Sequence, residues 1–222
     1  MGHEPATAHP AATVVIVRDR RDDCEVLLVR RNARLSFHGG AWVFPGGRVD
    51  AADYGGGDDV VAAARQAAVR EAREETGLEL RGCDLVAISR WVTPVQLPKR
   101  FDTWFFAAEG TDAPVAVDGG EIHDHQWMSP AEALTAQRAG AIELPPPTFV
   151  TITAIAPHRT ARSALTALGR DPQVFEPRLF PLAGGAVTLY AGDAGYEDAE
   201  LERPGRRHRL WMLEDGWRYE RE

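Results

Sequence analysis

Cysteine is nearly missing from this chain: Cys24 and Cys83 are the only two in 222 residues. Two thiols cannot build a disulfide framework, and these are not at zinc-ligand spacing, so both are expected to be reduced thiols of a cytoplasmic protein. Long apolar runs are missing too. Nothing approaches the roughly 18 consecutive apolar residues of a membrane span, and "MGHEPATAHPAA" has no charged region leading into an apolar one. The expectation is a soluble protein with no membrane partner. Positive charge is also scarce, with 25 Lys and Arg against 33 Asp and Glu, a net charge of −8. Such a balance excludes duplex nucleic acid as the main partner, because nothing would neutralise many phosphates at once.

What is present suits one large globular domain: 44% of the residues are hydrophobic, enough for a sizeable core. "ATVVIVRDRRDDCEVLLVRR" predicts a hairpin of Val14–Val17 and Glu25–Arg30 around a charged turn. "AWVFPGG" predicts a short strand stopped by Pro45 and two glycines. A helix follows over "VVAAARQAAVREAREET", with Asp58 or Asp59 as cap and Gly77 as stop. "DLVAISRWVTP", "FDTWFFAAE" and "HDHQWM" predict strands. "SPAEALTAQRAG" predicts a helix capped by Ser129, with Pro130 at its first position. The prolines 145 to 147 mark a boundary. Beyond it come a helix broken at Pro157, a strand in "GAVTLYAG" and a final hairpin turning at Asp215-Gly216. Strands and helices mix without strict alternation, which predicts an α/β or α+β fold with a mixed sheet. The expected organisation is a mobile tail over residues 1–11, a core over 12–145 and a C-terminal extension over 146–222. That extension packs on the core, narrows a pocket, or forms a homodimer interface; the residues do not choose among these.

"REAREETGL", Arg70 to Leu78, is the stretch that local stability does not explain. Glu71, Glu74 and Glu75 share one helix face at i, i+3 and i+4. Their mutual repulsion costs a few tenths of a kcal/mol per exposed pair, and more where water is excluded. They lie at the helix C-terminus, where the macrodipole disfavours anions. A solvated acidic face balanced by Arg70 and Arg73 is one account. A hard divalent cation is the other, since Mg²⁺ takes oxygen ligands and bridges carboxylates to substrate phosphates.

"FPGG" followed by "REAREETGL" resembles the signature of the Nudix hydrolases, G-x5-E-x7-R-E-U-x-E-E-x-G-U, where U is a bulky aliphatic residue. Arg70, Glu71, Glu74, Glu75, Gly77 and Leu78 match in order, with Ala72 at the first U. The first half departs from the pattern. Counting back from Arg70 reaches Ala62 where the box has Glu, and Gly47 lies 23 residues before Arg70 instead of 14, an insertion of nine. A surface loop tolerates such an insertion. Asp50 or Asp53 is the expected substitute for the lost Glu.

The resemblance implies an α/β/α sandwich and a hydrolase of a nucleoside diphosphate linked to another moiety. It implies Mg²⁺ or Mn²⁺ held by Glu71, Glu74, Glu75 and the Gly47 carbonyl. It implies Arg70 as the residue that orients a glutamate, and Glu121, in "GGEIHDHQWMSPAEAL", as a further acid from a later loop. Glu74 or Glu121 is the expected proton acceptor. "LLVRRNARLSFHGGAWVFPGG" is similar to the segment preceding the box in coenzyme A diphosphatases, on Leu27, Leu28, Arg31, Leu35, His38, Gly40 and Phe44–Gly47. With "SRWVTPVQLPKRFDTWFF", it resembles the peroxisomal-type branch of those enzymes and its bacterial relatives. That implies CoA or acyl-CoA as substrate, with ADP-ribose or a nucleotide sugar as the alternative and an inactive ligand sensor as a second. The 3′-phosphate of CoA needs cationic donors. Arg31, Arg34 and Arg100 are the leading candidates, with Arg30 and Lys99 behind them. Trp42, Trp91, Trp104 and Phe105 read either as adenine-stacking residues or as core.

Overall fold

The computed structural model describes residues 6–21, 23–33, 39–117 and 119–222. Strand β1, His9–Arg20, and β2, Asp23–Arg31, form the expected hairpin, antiparallel with Val17 opposite Val26. The strand starts at His9, inside the segment expected to be tail. There the His9 N–H donates to the Arg100 carbonyl, and β1 runs parallel to β6, Phe101–Glu109, from His9 opposite Phe101 onward. β3 is Trp42–Val43, and the two glycines do not end it: Gly46–Arg48 form β4, antiparallel to Ala11–Thr13 of β1. Gly46 is required at that point, because a Cβ would run into the Ala12 carbonyl.

Helix α1, Val60–Thr76, forms as read. Asp59 caps it by accepting from the Val61 and Ala62 N–H groups, and Gly77 ends it at φ 70°. Its inner face is Ala63, Ala64, Ala67, Ala68 and Ala72, all buried. Small side chains let the helix lie close on the sheet, and a larger one there would overpack at about 1–3 kcal/mol. β5, Val86–Val92, pairs antiparallel with β6, and β7, Ile122–Met128, pairs antiparallel with β2. α2, Pro130–Arg138, carries the Ser129 cap.

After Pro145 the three prolines start a helix instead of separating two units. α3 is Pro146–Ile155, with proline tolerated in its first turn where no intrahelical N–H is needed. α4 is Ala161–Gly169. β8, Gln173–Phe175, joins the main sheet parallel to β5, giving the order β3-β2-β1-β6-β5-β8 with β4 on β1 and β7 on β2. β9 (Arg178–Leu182), β10 (Gly185–Leu189), β11 (His208–Leu213) and β12 (Gly216–Arg221) form a second, antiparallel sheet. Its last turn is Glu214-Asp215, one residue earlier than read, since Leu213 pairs with Gly216.

The main sheet is covered on both faces. Ala12, Val14, Ile16, Leu27, Phe106 and Ala108 pack under α1. Val15, Val26, Leu28 and Phe105 pack with residues of α2, α3 and α4 and with Tyr190 and Leu210.

Candidate active site

The last two turns of α1 put four charged side chains beside β4, and Arg70 organises them. Its Nη1 donates to Glu71 Oε1 at 2.7 Å and to Glu74 Oε2 at 3.0 Å. Its Nε and Nη2 donate to the two oxygens of Asp53 at 3.1 and 3.0 Å, and Nη2 also reaches the Arg48 carbonyl at 2.9 Å. Asp53 lies in a 3₁₀ turn, Ala51–Tyr54, and also accepts from the Asp50 N–H at 2.8 Å. Burial alone would push the Asp53 carboxyl up, but the Arg70 fork and the Asp50 N–H hold it below the usual range. The guanidinium is raised in turn, first by Asp53.

Glu75 is the buried member, only 5% exposed. The Gly46 N–H donates to its Oε2 at 2.9 Å. Burial pushes its carboxyl up to about 8; Glu71 and Glu121 add to the rise, while the Gly46 N–H and Arg31 oppose it. Glu71 is raised too, chiefly by burial, with Glu74 and Glu121 contributing against the pull of Arg70. A Cβ on Gly47 would collide with the Glu71 carboxylate. Residue 47 is therefore glycine because the helix brings a carboxylate against the β4 backbone.

Glu71, Glu74, Glu75, Gly47 and Arg70 are thus brought together, and Glu121 comes within their electrostatic reach from the turn before β7. Among the described residues, no three His, Cys, Asp or Glu side chains already converge on one point as metal ligands; Arg70 draws Glu71 and Glu74 to itself. The donors nonetheless fit a hard dication: all are oxygens, their negative charge exceeds the local cations, and one is buried with its carboxyl strongly raised. Arg31 lies on the same side, with its Nε buried and without a partner among the described residues.

Other expectations fare differently. Arg34, Leu35 and His38 lie outside the described residues. Arg100 does not join the cluster: its guanidinium donates to the Thr93 and Ala6 carbonyls at 3.1 and 2.7 Å. Trp42, Trp91 and Phe105 are core, and Trp91 stacks on Phe175 at 3.8 Å. Trp104 is half-buried on the α1 side with Arg90 6.0 Å from its ring.

Ala62 is exposed and lines an open cavity of about 580 Å³ with Tyr54, Gln66, Arg70 and Arg73. Of the two acids expected to stand in for the box glutamate, Asp53 makes the two-bond fork to Arg70 and Asp50 a longer ion pair at 3.7 Å. The sequence held the signal: passing the five residues 48–52 after Gly47 puts the acidic position of the box on Asp53, with the nine extra residues after it. Counting backward from the helix carries the insertion into the wrong half.

Residues 7–146 match the NUDIX domain. The chain is 29% identical over 165 residues to putative nudix hydrolase 7 of Caenorhabditis elegans, covering 58% of this chain and 54% of that protein. It is 34% identical over 121 residues to the human acyl-coenzyme A diphosphatase NUDT19, covering 51% and 32%. The matches thus span about half of the first relative and a third of the second. Among solved structures, a NUDIX hydrolase from Alicyclobacillus acidocaldarius superposes with a TM-score of 0.66 at 27% identity, over 75% of this chain and 99% of that one. The mixed sheet, the box helix and the domain match agree, and the chain belongs to the Nudix family.

Proposed function

We propose that this protein is a metal-dependent hydrolase that cuts the diphosphate bond of a nucleoside diphosphate linked to another moiety, with CoA or acyl-CoA as substrate. The observation that carries the reading is the crowding of Glu71, Glu74 and Glu75 around one arginine and a glycine backbone. Such a surplus of carboxylate is costly unless a cation offsets it. Partial similarity to an acyl-coenzyme A diphosphatase supports the CoA assignment.

In this reading Glu71, Glu74, Glu75 and the Gly47 carbonyl hold Mg²⁺ or Mn²⁺. When bound, such an ion lowers the pKa of water and offsets the charge that develops on phosphorus. Asp53 takes the place of the missing box glutamate and fixes the Arg70 guanidinium, and Arg70 fixes the rotamers of Glu71 and Glu74. The β4 backbone keeps Glu75 in place through the Gly46 N–H. Hydrolysis forms a bond from the water oxygen to phosphorus and breaks the bond from phosphorus to the bridging oxygen, which leaves on the second phosphate. The water's proton passes to Glu74 or Glu121. Comparing Glu74→Gln with Glu121→Gln separates the two: the acceptor's variant flattens the basic rise of the pH–rate profile.

Incubation with CoA and Mg²⁺ or Mn²⁺, with products resolved by mass spectrometry, should yield adenosine 3′,5′-bisphosphate and 4′-phosphopantetheine. Brisk cleavage of ADP-ribose without cleavage of CoA would overturn the CoA assignment. No turnover of any diphosphate would overturn the enzyme reading and favour a ligand sensor.

A further inference from the structure

The residue that stands out beyond the box is Arg31, the last of β2. Along this strand Leu28 faces the layer of α2 and α3, and Leu27 faces α1. The pairing of β2 with β7 is irregular at this end: Arg30 is opposite Asp124 and Arg31 opposite Ile122. The extra residue, His123, is on β7, so the alternation of β2 is intact. Arg31 therefore emerges on the face of Leu27, the one that carries the box glutamates. Both of its backbone groups are fixed by the segment before β3: the Arg31 N–H donates to the Ala41 carbonyl at 3.0 Å, and its carbonyl accepts from the Gly40 N–H at 3.1 Å. The next residue ties this end to Glu121, with the Asn32 N–H donating to the Glu121 carbonyl at 2.8 Å.

Arg31 Nε is buried and has no partner among the described residues. A buried N–H without an acceptor costs about 1–3 kcal/mol, so native interiors rarely keep one without a specific reason, and beside this site a ligand oxygen is such a reason. The carboxylates nearby do not quench it, although its charge reaches Glu75. An incoming anion, held by cations on the far side, would.

We propose that Arg31 binds a non-bridging oxygen of the diphosphate that is cut, through Nε, and does not read the 3′-phosphate at the other end of the substrate. This rests on the hydrolase reading above. Arg31 then has two opposite effects: it attracts the diphosphate and repels the metal that the same carboxylates take up. The two effects can be measured apart.

The test compares the parent, Arg31→Gln and Arg31→Lys on CoA and on dephospho-CoA, which lacks the 3′-phosphate, and measures Mn²⁺ binding to each protein without substrate. For Arg31→Gln, kcat/KM should fall about 10- to 100-fold on both substrates alike, the size expected for one charge-assisted bond to phosphate. Mn²⁺ alone should bind more tightly, because a neighbouring cation is gone. Arg31→Lys should recover part of the rate, keeping charge without the fork, and it carries the test should the glutamine variant fail to fold. A loss confined to CoA would overturn the proposal in favour of the 3′-phosphate, as would kinetics equal to the parent, or Mn²⁺ affinity that falls along with the rate. A parent inactive on both substrates would instead sink the CoA assignment, and the same variants would then be compared on ADP-ribose, where a rate equal to the parent's overturns the proposal.

Discussion

Of the three arginine–aspartate forks among the described residues, Arg90–Asp102 joins the neighbouring strands β5 and β6, and the other two contrast with each other. In the second sheet, Asp193 takes Arg209 Nε and Nη2 at 2.7 Å each and also accepts from the Gly195 and His208 N–H groups, while Arg209 Nη1 donates to the Leu201 carbonyl. Both side chains are almost fully buried, at 0% and 3% exposure. One cation meets one anion, and every carboxylate oxygen is occupied. Burial alone would raise the Asp193 carboxyl, yet Arg209 and the two N–H groups hold it low. The fork pins the long connection between β10 and β11. The fork at Asp53 and Arg70 has the same geometry but is open: Arg70 is 23% exposed and is shared with Glu71 and Glu74. A closed, neutral fork reads as scaffold; the open one, with surplus carboxylate, is the one that the proposed metal would occupy. The pairing motif is common to both, and the charge balance distinguishes them.

The largest test of that difference is to remove one of the surplus carboxyl groups. Glu75→Gln should lower kcat by about 10²- to 10⁴-fold, as expected for a group acting at the reacting centre, while the fold stays intact. Stability should move the other way. The native carboxyl keeps its proton up to about pH 8 against the usual 4.5, so the metal-free native state binds more protons than the unfolded chain between those values. Its stability falls as pH rises across that window and stays low above it. Thermal unfolding of the metal-free proteins at pH 9 should therefore show Glu75→Gln melting higher than the parent. A lower melting temperature would mean that Glu75 is scaffold after all.

Breaking the closed fork should do the reverse. Arg209→Ala leaves a buried unpaired carboxylate and should cost about 3–5 kcal/mol, read by denaturant unfolding, with kcat per folded molecule unchanged. Asp53→Asn lies between the two: it weakens the hold on Arg70 without touching a proposed metal ligand, and should cost about 10- to 100-fold in rate, as outer-sphere partners do. Asp53→Glu should recover part of that. If Asp53→Asn were as stable and as fast as the parent, the open fork would have no positioning role.

How much of this was legible beforehand follows from which contacts are local. The helix, its caps at Asp59 and Gly77, and the glutamate cluster were readable because i, i+3 and i+4 spacing translates directly into one face. Asp53 was readable only from the Gly47 side of the insertion. The Asp193–Arg209 fork was not legible, because residues 16 positions apart on a loop and a strand meet only once β10 and β11 pair. The same holds for β8, whose parallel pairing with β5 joins residues more than 80 positions apart. The aromatics fell to the core for a related reason: Phe175 and Tyr190, which enclose Trp91, come from the far end of the chain. Helix-local chemistry survives translation from sequence; strand partners and burial depend on topology.

The smallest effect sharpens the closed side of the comparison. His208, beside Arg209, has Nδ1 2.7 Å from the Ala191 carbonyl and Nε2 2.8 Å from the Tyr219 hydroxyl. Nδ1 must then carry a proton, and burial favours the neutral ring, in which Nε2 accepts from the Tyr219 hydroxyl. Burial is the main cause lowering its pKa from the usual 6.5, and the same cause pushes the Tyr219 hydroxyl up to about 12. With the native pKa depressed, the unfolded chain takes up a proton below about pH 6.5 that the native state resists. Stability from this site is full above that pH and is lost as pH falls toward the native value. His208→Gln can keep one donor and one acceptor but cannot titrate. Its melting temperature should therefore decline less than the parent's between pH 7 and 5. Parallel declines would mean that the ring is not held neutral, and that the scaffold half of the molecule is less closed than its fork.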